Sequence, residues 1–178
     1  MRVPGDSGVN ASPDSLRLLA GLLASPGGES IEAVRELTAE HDWLAEPLAE
    51  LDATPLEEWQ AEHTRLFVCG HRKTACPPFE SAMTGGSLHG AACDKLAALY
   101  LRAGLEATGL PPDYLGTQLE CAAWLMEQDG EHSRALLHEL WQDHLAAWVP
   151  RFNAALRSES HLLLYRQLAG RLESLLDE

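Results

Sequence analysis

The sequence is poor in basic residues: 13 lysines and arginines stand against 27 aspartates and glutamates, which gives a formal net charge of −14. Nucleic-acid binding needs a basic stripe that neutralises phosphates, and the sequence shows no such stripe. An anionic membrane surface would also repel this chain. A basic partner is therefore the natural electrostatic complement of the protein.

Long apolar runs are missing as well. No stretch approaches the roughly 18 uninterrupted apolar residues that a membrane span needs. Residues 1–15 contain one arginine and no apolar run, so they do not resemble an export signal. Four cysteines are too few for a disulfide scaffold in a chain of 178 residues. We therefore expect a cytoplasmic protein with reduced thiols at Cys69, Cys76, Cys93 and Cys121.

Period-two alternation and β-branched residues are scarce, whereas apolar residues recur every three or four positions, which is the helical period. Hydrophobic residues make up 46% of the chain, so a sizeable core can form. These features predict an all-α, single-domain helical bundle over residues 14–178, preceded by a flexible N-terminus at residues 1–13.

Capping and breaking residues predict where the helices begin and end. Ser12 and Pro13 should begin a helix that reaches Ala24, and residues 54–57 form a capping box that should begin another. The glycines and prolines of residues 69–86 are typical of a long ordered loop. Further helices are predicted at residues 30–40, 46–51, 88–108, 133–152 and 159–176. A core stripe is expected at Trp141, Leu145, Trp148, Phe152 and Leu156.

The helix predicted to begin near Pro112 has apolar residues around most of its circumference, which favours a central position in the bundle. One narrow face differs, because polar residues and a tryptophan recur there at helical spacing. This face places three carboxylates in one line. Its members are Asp113, Thr117, Glu120, Trp124 and Glu127.

A second acidic feature is the stretch from residue 29 to residue 62, which holds eleven carboxylates and a single basic residue, Arg35. It is either a solvated face that keeps the protein soluble or an acidic patch that meets a cationic peptide.

Catalytic and metal-binding patterns are weak. Soft ligands that suit zinc occur at Cys69, His71, Cys76, His89 and Cys93. Their spacing lacks the paired units of tetrahedral sites, so a zinc or iron site centred on Cys69, His71, Cys76 and Cys93 is an alternative to buried or idle thiols. Ser87 does not lie in a nucleophile elbow, and no phosphate-binding loop is present. The sequence predicts a non-enzymatic protein without a cofactor.

Three blocks of the sequence form a recognisable series. The first is Glu62-His63-Thr64-Arg65-Leu66-Phe67 leading to Pro77-Pro78-Phe79-Glu80-Ser81. The second runs from Leu110 through Pro111-Pro112-Asp113-Tyr114-Leu115 to Glu120, and the third combines residues 144–152 with residues 164–169. Together they resemble the TorD/DmsD/NarJ family of maturation chaperones for molybdenum-containing redox enzymes. The blocks occur in that family's order and span about two-thirds of the chain, although Tyr114 stands where many members have histidine.

The resemblance implies an all-α chaperone that binds the twin-arginine signal peptide, or the apo form, of a molybdoenzyme catalytic subunit. Export would then wait until the molybdenum cofactor is inserted. Peptide-binding roles carry over to Asp113 and Glu120, and also to Phe79 and Glu80. Some relatives exchange helices, so a monomer or a helix-swapped homodimer hinged at residues 109–113 is expected.

The residues themselves support the same hypothesis. Two guanidinium groups followed by an apolar segment need carboxylates beside an apolar trough. The face with Asp113, Glu120, Trp124 and Glu127 offers both, Tyr114 is also expected to bind the peptide, and residues 77–81 could form the other wall. The remaining alternative is a helical regulatory module that docks an amphipathic partner helix.

Overall fold

The chain forms an all-α bundle in a computed structural model that describes residues 12–69, 74–85 and 90–176. This part of the chain contains no β-strand, only an isolated antiparallel bridge between Phe79 and Tyr114. It also contains no helix that is both long and apolar enough to span a membrane. The all-α prediction is confirmed. The predicted flexible N-terminus lies, except for Ser12 and Pro13, outside the described residues.

The described residues contain ten α-helices. Shorter 3₁₀ and π segments occur at Asp42–Leu44, Thr64–Val68 and Leu140–Leu145. The helices are α1 Pro13–Leu22, α2 Ser30–Thr38, α3 Ala45–Asp52, α4 Leu56–His63, α5 Glu80–Gly85, α6 Ala91–Arg102, α7 Leu115–Glu127, α8 Glu131–Glu139, α9 Ala146–Glu159 and α10 Leu163–Leu176.

Helix α1 begins as its sequence predicts. The Ser12 hydroxyl accepts the backbone N–H of Ser15 at 3.0 Å, and Pro13 occupies the first turn. Helix α4 begins close to its predicted start, but the predicted capping box is wrong. The Thr54 hydroxyl instead donates to the Glu50 carbonyl at 2.8 Å, which leaves it turned toward the preceding helix.

Helix α7 lies at the centre of the bundle, as predicted, with eight of its residues buried. It packs along α1. Its start differs from the prediction, because the helix begins at Leu115 rather than near Pro112. Pro112 and Asp113 lie in a turn, and Tyr114 is extended against the segment that contains Phe79, so the helix begins only at Leu115.

Helix α6 ends at Arg102, six residues before the predicted end. Gly104 adopts φ = 76°, and its N–H donates to the Leu101 carbonyl at 3.0 Å. The Leu105 N–H donates to the Tyr100 carbonyl at 2.8 Å. This pair of bonds is a Schellman motif, which only a left-handed residue such as glycine closes readily. The segment after it, residues 105–110, is not helical and borders the site described below.

The C-terminal half is one nearly continuous helical run from Glu131 to Glu159, with a π turn at Leu140–Leu145, followed by α10. The predicted core stripe is confirmed, since its five side chains are all buried. Helix α10 begins at Leu163 rather than at Glu159 and packs against α9. Pro150 lies inside α9.

Most carboxylates of residues 29–62 are exposed, as expected of a solvated face. Glu50 is half-buried, and Glu62 is buried, with its side chain 8% exposed. Burial raises its pKa, but two hydrogen bonds from Arg65 and one from the His161 amide outweigh burial, so the pKa of Glu62 lies below its usual value. Glu62 therefore ties α4 to the connection before α10.

Candidate functional site

An apolar groove of about 760 Å³ opens between α1, the start of α7 and residues 105–110. It is the candidate site because several of the residues predicted to bind a peptide line it. Exposed apolar side chains at Val68 and Leu110, 62% and 52% exposed, border it. The lining also includes Arg17, Ala20, Gly21, Ala24, His63, Phe67, Pro78, Phe79, Tyr100, Leu105, Tyr114, Thr117, Glu120 and Trp124.

Phe79 and Tyr114 form one wall of the groove. Two backbone hydrogen bonds hold their segments together: Glu80 N–H donates to the Asp113 carbonyl at 3.0 Å, and Leu115 N–H donates to the Pro78 carbonyl at 2.9 Å. The two ring centroids lie 5.6 Å apart. Of residues 77–81, expected to form a wall beside the α7 face, Pro78 and Phe79 line the groove.

Gly116 allows the Tyr114 ring to reach this position. A Cβ atom at residue 116 would lie 2.5 Å from Tyr114 Cε1, which no real Cβ contact tolerates. The Tyr114 hydroxyl donates to the Leu23 carbonyl of α1 at 3.3 Å. Burial raises the pKa of Tyr114 to about 12, so the phenol stays neutral and acts as a donor.

Asp113 lies beneath this wall rather than on the groove surface. It is 1% exposed. Its Oδ2 accepts the Ser81 N–H at 3.0 Å, and its Oδ1 accepts the Cys93 thiol at 2.9 Å. The prediction that Asp113 belongs to the α7 face is wrong, because Asp113 precedes the helix and points toward the start of α5. The loop predicted at residues 69–86 is also wrong in part, because Glu80–Gly85 form helix α5.

Glu80 is buried as well, on the far side of α5. Both of its carboxylate oxygens lie 3.0 Å from His144 Nδ1, in the π turn Leu140–Leu145. Both side chains are below 10% exposed. The pair fixes α5 to the C-terminal helical run. Glu80 thus supports the Phe79 wall from behind and does not face the groove.

The predicted α7 face does reach the groove from Thr117 onward. Thr117, Glu120 and Trp124 line it, and Glu127 lies one turn beyond Trp124. Glu120 and Glu127 are half exposed, at 56% and 42% of their side-chain areas. We refer to these two carboxylates as the acidic rim.

Arg17 of α1 contacts the acidic rim. Its Nη1 and Nη2 donate to the two carboxylate oxygens of Glu127 at 2.6 and 2.7 Å, a bidentate pair. Its Nε lies 3.8 Å from Glu120 Oε2, which is beyond hydrogen-bond distance. The hydrogen bonds from Arg17 hold the pKa of Glu127 below its usual value.

His63 closes the floor of the groove. Its Nε2 lies 3.1 Å from the Leu23 carbonyl, the same oxygen that the Tyr114 hydroxyl contacts. Burial lowers the pKa of His63. Sequence reasoning assigned neither His63 nor Arg17 to the site. The packing of α1 against α7 brings Arg17 there, and the contact of α4 with Leu23 brings His63 there. No local motif signals either contact.

The cysteines of the alternative metal site lie in different surroundings. Cys69 is exposed, whereas Cys76 and Cys93 are buried, and Cys93 donates to Asp113. Burial raises the pKa of Cys76 to about 12, which disfavours the thiolate that a metal needs. Over residues 12–69, 74–85 and 90–176, no three His, Cys, Asp or Glu side chains are grouped to hold a metal ion. His71 and His89 lie outside the described residues.

Known proteins resemble this chain in sequence and in fold. A family model for the nitrate reductase delta subunit matches residues 30–154. Chaperone protein YcdY of Escherichia coli strain K12 is 27% identical over 109 residues, 61% of this chain and 56% of that relative's length. A crystal structure from Archaeoglobus fulgidus, described as a candidate redox enzyme maturation protein, has a TM-score of 0.66 at 21% identity and full coverage of both chains, which shows a shared fold.

Proposed function

Because this chain belongs to the nitrate reductase delta subunit family, whose model matches residues 30–154, we propose that it is a chaperone for a redox-enzyme subunit. It binds the subunit during maturation and catalyses no reaction. The chaperone name of the Escherichia coli relative supports this role. The comparisons support the class of client, and the groove suggests which part of the client is held.

The observation that carries the proposal is the apolar groove, with the Glu120 carboxylate in its lining and Glu127 one turn beyond Trp124. A twin-arginine signal peptide presents cationic side chains followed by an apolar segment. Arginine fits carboxylates in bidentate geometry, and an apolar helix or extended segment fits a groove lined by aromatic rings. Phe79, Tyr114 and Trp124 supply those rings, and Glu120 supplies a carboxylate at the same wall.

The buried carboxylates have another role in this proposal. Asp113 and Glu80 shape the groove by fixing α5 and the Phe79 wall, while Glu120 and Trp124 meet the peptide. Glu127 acts from the edge of the site through Arg17. The client proposed from the family resemblance is a molybdenum-containing oxidoreductase, held in the cytoplasm until its cofactor is inserted and its export begins.

Calorimetry with a synthetic peptide tests this function. The peptide carries two adjacent arginines before an uncharged apolar segment, and its partner has both arginines replaced by glutamine. The wild-type chain should bind the arginine peptide more tightly. Glu120→Gln should weaken that binding by about tenfold, because the bound guanidinium loses a partner in a partly dehydrated contact. Trp124→Leu should weaken both peptides, because it removes a groove ring.

Glu46→Gln is the matched control, because Glu46 is exposed on α3 and does not line the groove. It removes the same charge and should leave both affinities unchanged. If the wild-type chain binds neither peptide, or if Glu120→Gln and Glu46→Gln behave alike, the groove is not the signal-peptide site.

A further inference from the structure

Arg17 already occupies part of the site that the proposed function assigns to client arginines. It is the only lysine or arginine among the described residues that line the groove. It makes the bidentate contact with Glu127 that an incoming guanidinium would be expected to make. Arg17 also lies outside residues 30–154, the part of the chain that the family model matches.

The charges around Arg17 do not cancel. Three carboxylates lie within 4.0 Å of its guanidinium, those of Asp14, Glu120 and Glu127. Glu127 takes both of its parallel donors. Glu120 is left at 3.8 Å, and its nearer oxygen forms no hydrogen bond with Arg17. The acidic rim therefore holds one carboxylate that is engaged and one that remains available to a further cation.

Resting on the proposed function, we propose that Arg17 is a built-in occupant of one of two guanidinium positions along α7. The groove then binds a single client arginine at Glu120, and a second client arginine adds little to the affinity. Glu127 is a positioning residue: by holding Arg17 in the bidentate pair, it keeps that guanidinium away from Glu120. Without Glu127, Arg17 would turn to Glu120 and block the remaining position.

Two peptides that share one apolar segment test the proposal. One carries two adjacent arginines, and the other carries glutamine and arginine. For the wild-type chain, the two affinities should agree within about twofold, because the second arginine finds no unoccupied carboxylate on the α7 face. For Arg17→Ala, the two-arginine peptide should bind about fivefold more tightly than the one-arginine peptide, since Glu127 then becomes a half-exposed partner.

Glu127→Gln supplies a readout that a purely structural role would not give. In the wild-type background it should weaken the one-arginine peptide by about fivefold, because Arg17 moves onto Glu120. In the Arg17→Ala background the same substitution should leave the one-arginine peptide unaffected. Arg17→Gln is a second variant that keeps a long polar side chain on α1, in case Arg17→Ala unfolds α1.

Arg157→Ala is the matched control. Arg157 pairs with Glu173 at 2.6 Å between α9 and α10, with both side chains about half exposed, and neither lines the groove. It should change neither affinity. If both Arg17 variants keep the wild-type ratio between the two peptides, the built-in occupant is excluded while the groove remains a signal-peptide site. If no protein binds either peptide, the proposed function fails as well.

Discussion

The Asp113 carboxylate caps the helix that begins at Glu80, because its Oδ2 accepts the Ser81 N–H at 3.0 Å across 32 residues of sequence. The same carboxylate accepts the Cys93 thiol. One buried side chain thus fixes α5 and the start of α6 to the turn before α7. The aromatic wall of the groove depends on this junction, since Phe79 precedes the capped helix and Tyr114 follows Asp113.

Asp113→Ala should therefore act on stability. We expect the free energy of unfolding to fall by about 2 kcal/mol, because an N-cap is lost and a buried N–H loses its acceptor. Urea denaturation measures the change. Asp113→Asn keeps an acceptor oxygen for Ser81 and should cost less than Asp113→Ala. If Asp113→Ala is as stable as the wild-type chain, the capping role is wrong.

The position of Asp113 could not be predicted from the local sequence. Within α7 the spacing of Thr117, Glu120 and Trp124 predicted their common face, because helical periodicity is local. Extending that periodicity back to Asp113 failed, since Asp113 lies in a turn and the bridge to Phe79 holds Tyr114 extended. Such a bridge joins segments that are distant in sequence. Arg17 escaped prediction for the same reason, because its partner Glu127 lies 110 residues away.

Two glycines of the groove should respond oppositely to alanine. Gly21 in α1 has no atom within 4 Å of an added Cβ, so Gly21→Ala should raise the free energy of unfolding by about 0.5–1 kcal/mol through helix propensity. Gly116→Ala should lower it by about 1–3 kcal/mol, because the new Cβ overlaps the Tyr114 ring. Thermal or urea unfolding of both variants checks the signs.

The two glycine substitutions should also differ in their effect on peptide binding. Displacing the Tyr114 ring changes the groove wall, so Gly116→Ala should also weaken capture of an apolar peptide, whereas Gly21→Ala adds one methyl to the opposite wall. Equal effects of the two substitutions on stability would contradict the close approach of Tyr114 to Gly116.

A buried hydrogen bond joins α4 to α10. Trp59 Nε1 donates to the Tyr165 hydroxyl at 3.0 Å, and both side chains are buried. Tyr165→Phe should lower the free energy of unfolding by about 1–3 kcal/mol, because the indole N–H keeps no acceptor in a dry environment. Chemical denaturation measures this loss, and a double-mutant cycle with Trp59→Phe should show that the two positions couple.

Tyr114→Phe is the control for that loss. It also removes a tyrosine hydroxyl, but the acceptor it leaves, the Leu23 carbonyl, still faces His63 Nε2 at 3.1 Å. We expect a cost below about 1 kcal/mol, since no buried group is left without a partner. A cost for Tyr114→Phe as large as that for Tyr165→Phe would show that orphaned donors do not decide the difference.

His63 should make the stability of the groove floor depend on pH. Burial lowers the pKa of His63 below its usual value. Between the folded and the unfolded pKa, the unfolded chain binds more protons on this residue than the folded chain does. The contribution is therefore fully present above about pH 6.5 and is lost as the pH falls through the folded pKa.

Urea unfolding of the wild-type chain and of His63→Gln, each at pH 7.5 and 5.5, isolates this contribution. Glutamine keeps an N–H donor for the Leu23 carbonyl and does not titrate, so the wild-type chain should lose more stability between the two pH values than the variant. Glu62 does not interfere, because its pKa is lowered from 4.5 and its contribution is lost only below that value. Equal losses of stability in the two proteins would mean that His63 can take up a proton without destabilising the fold.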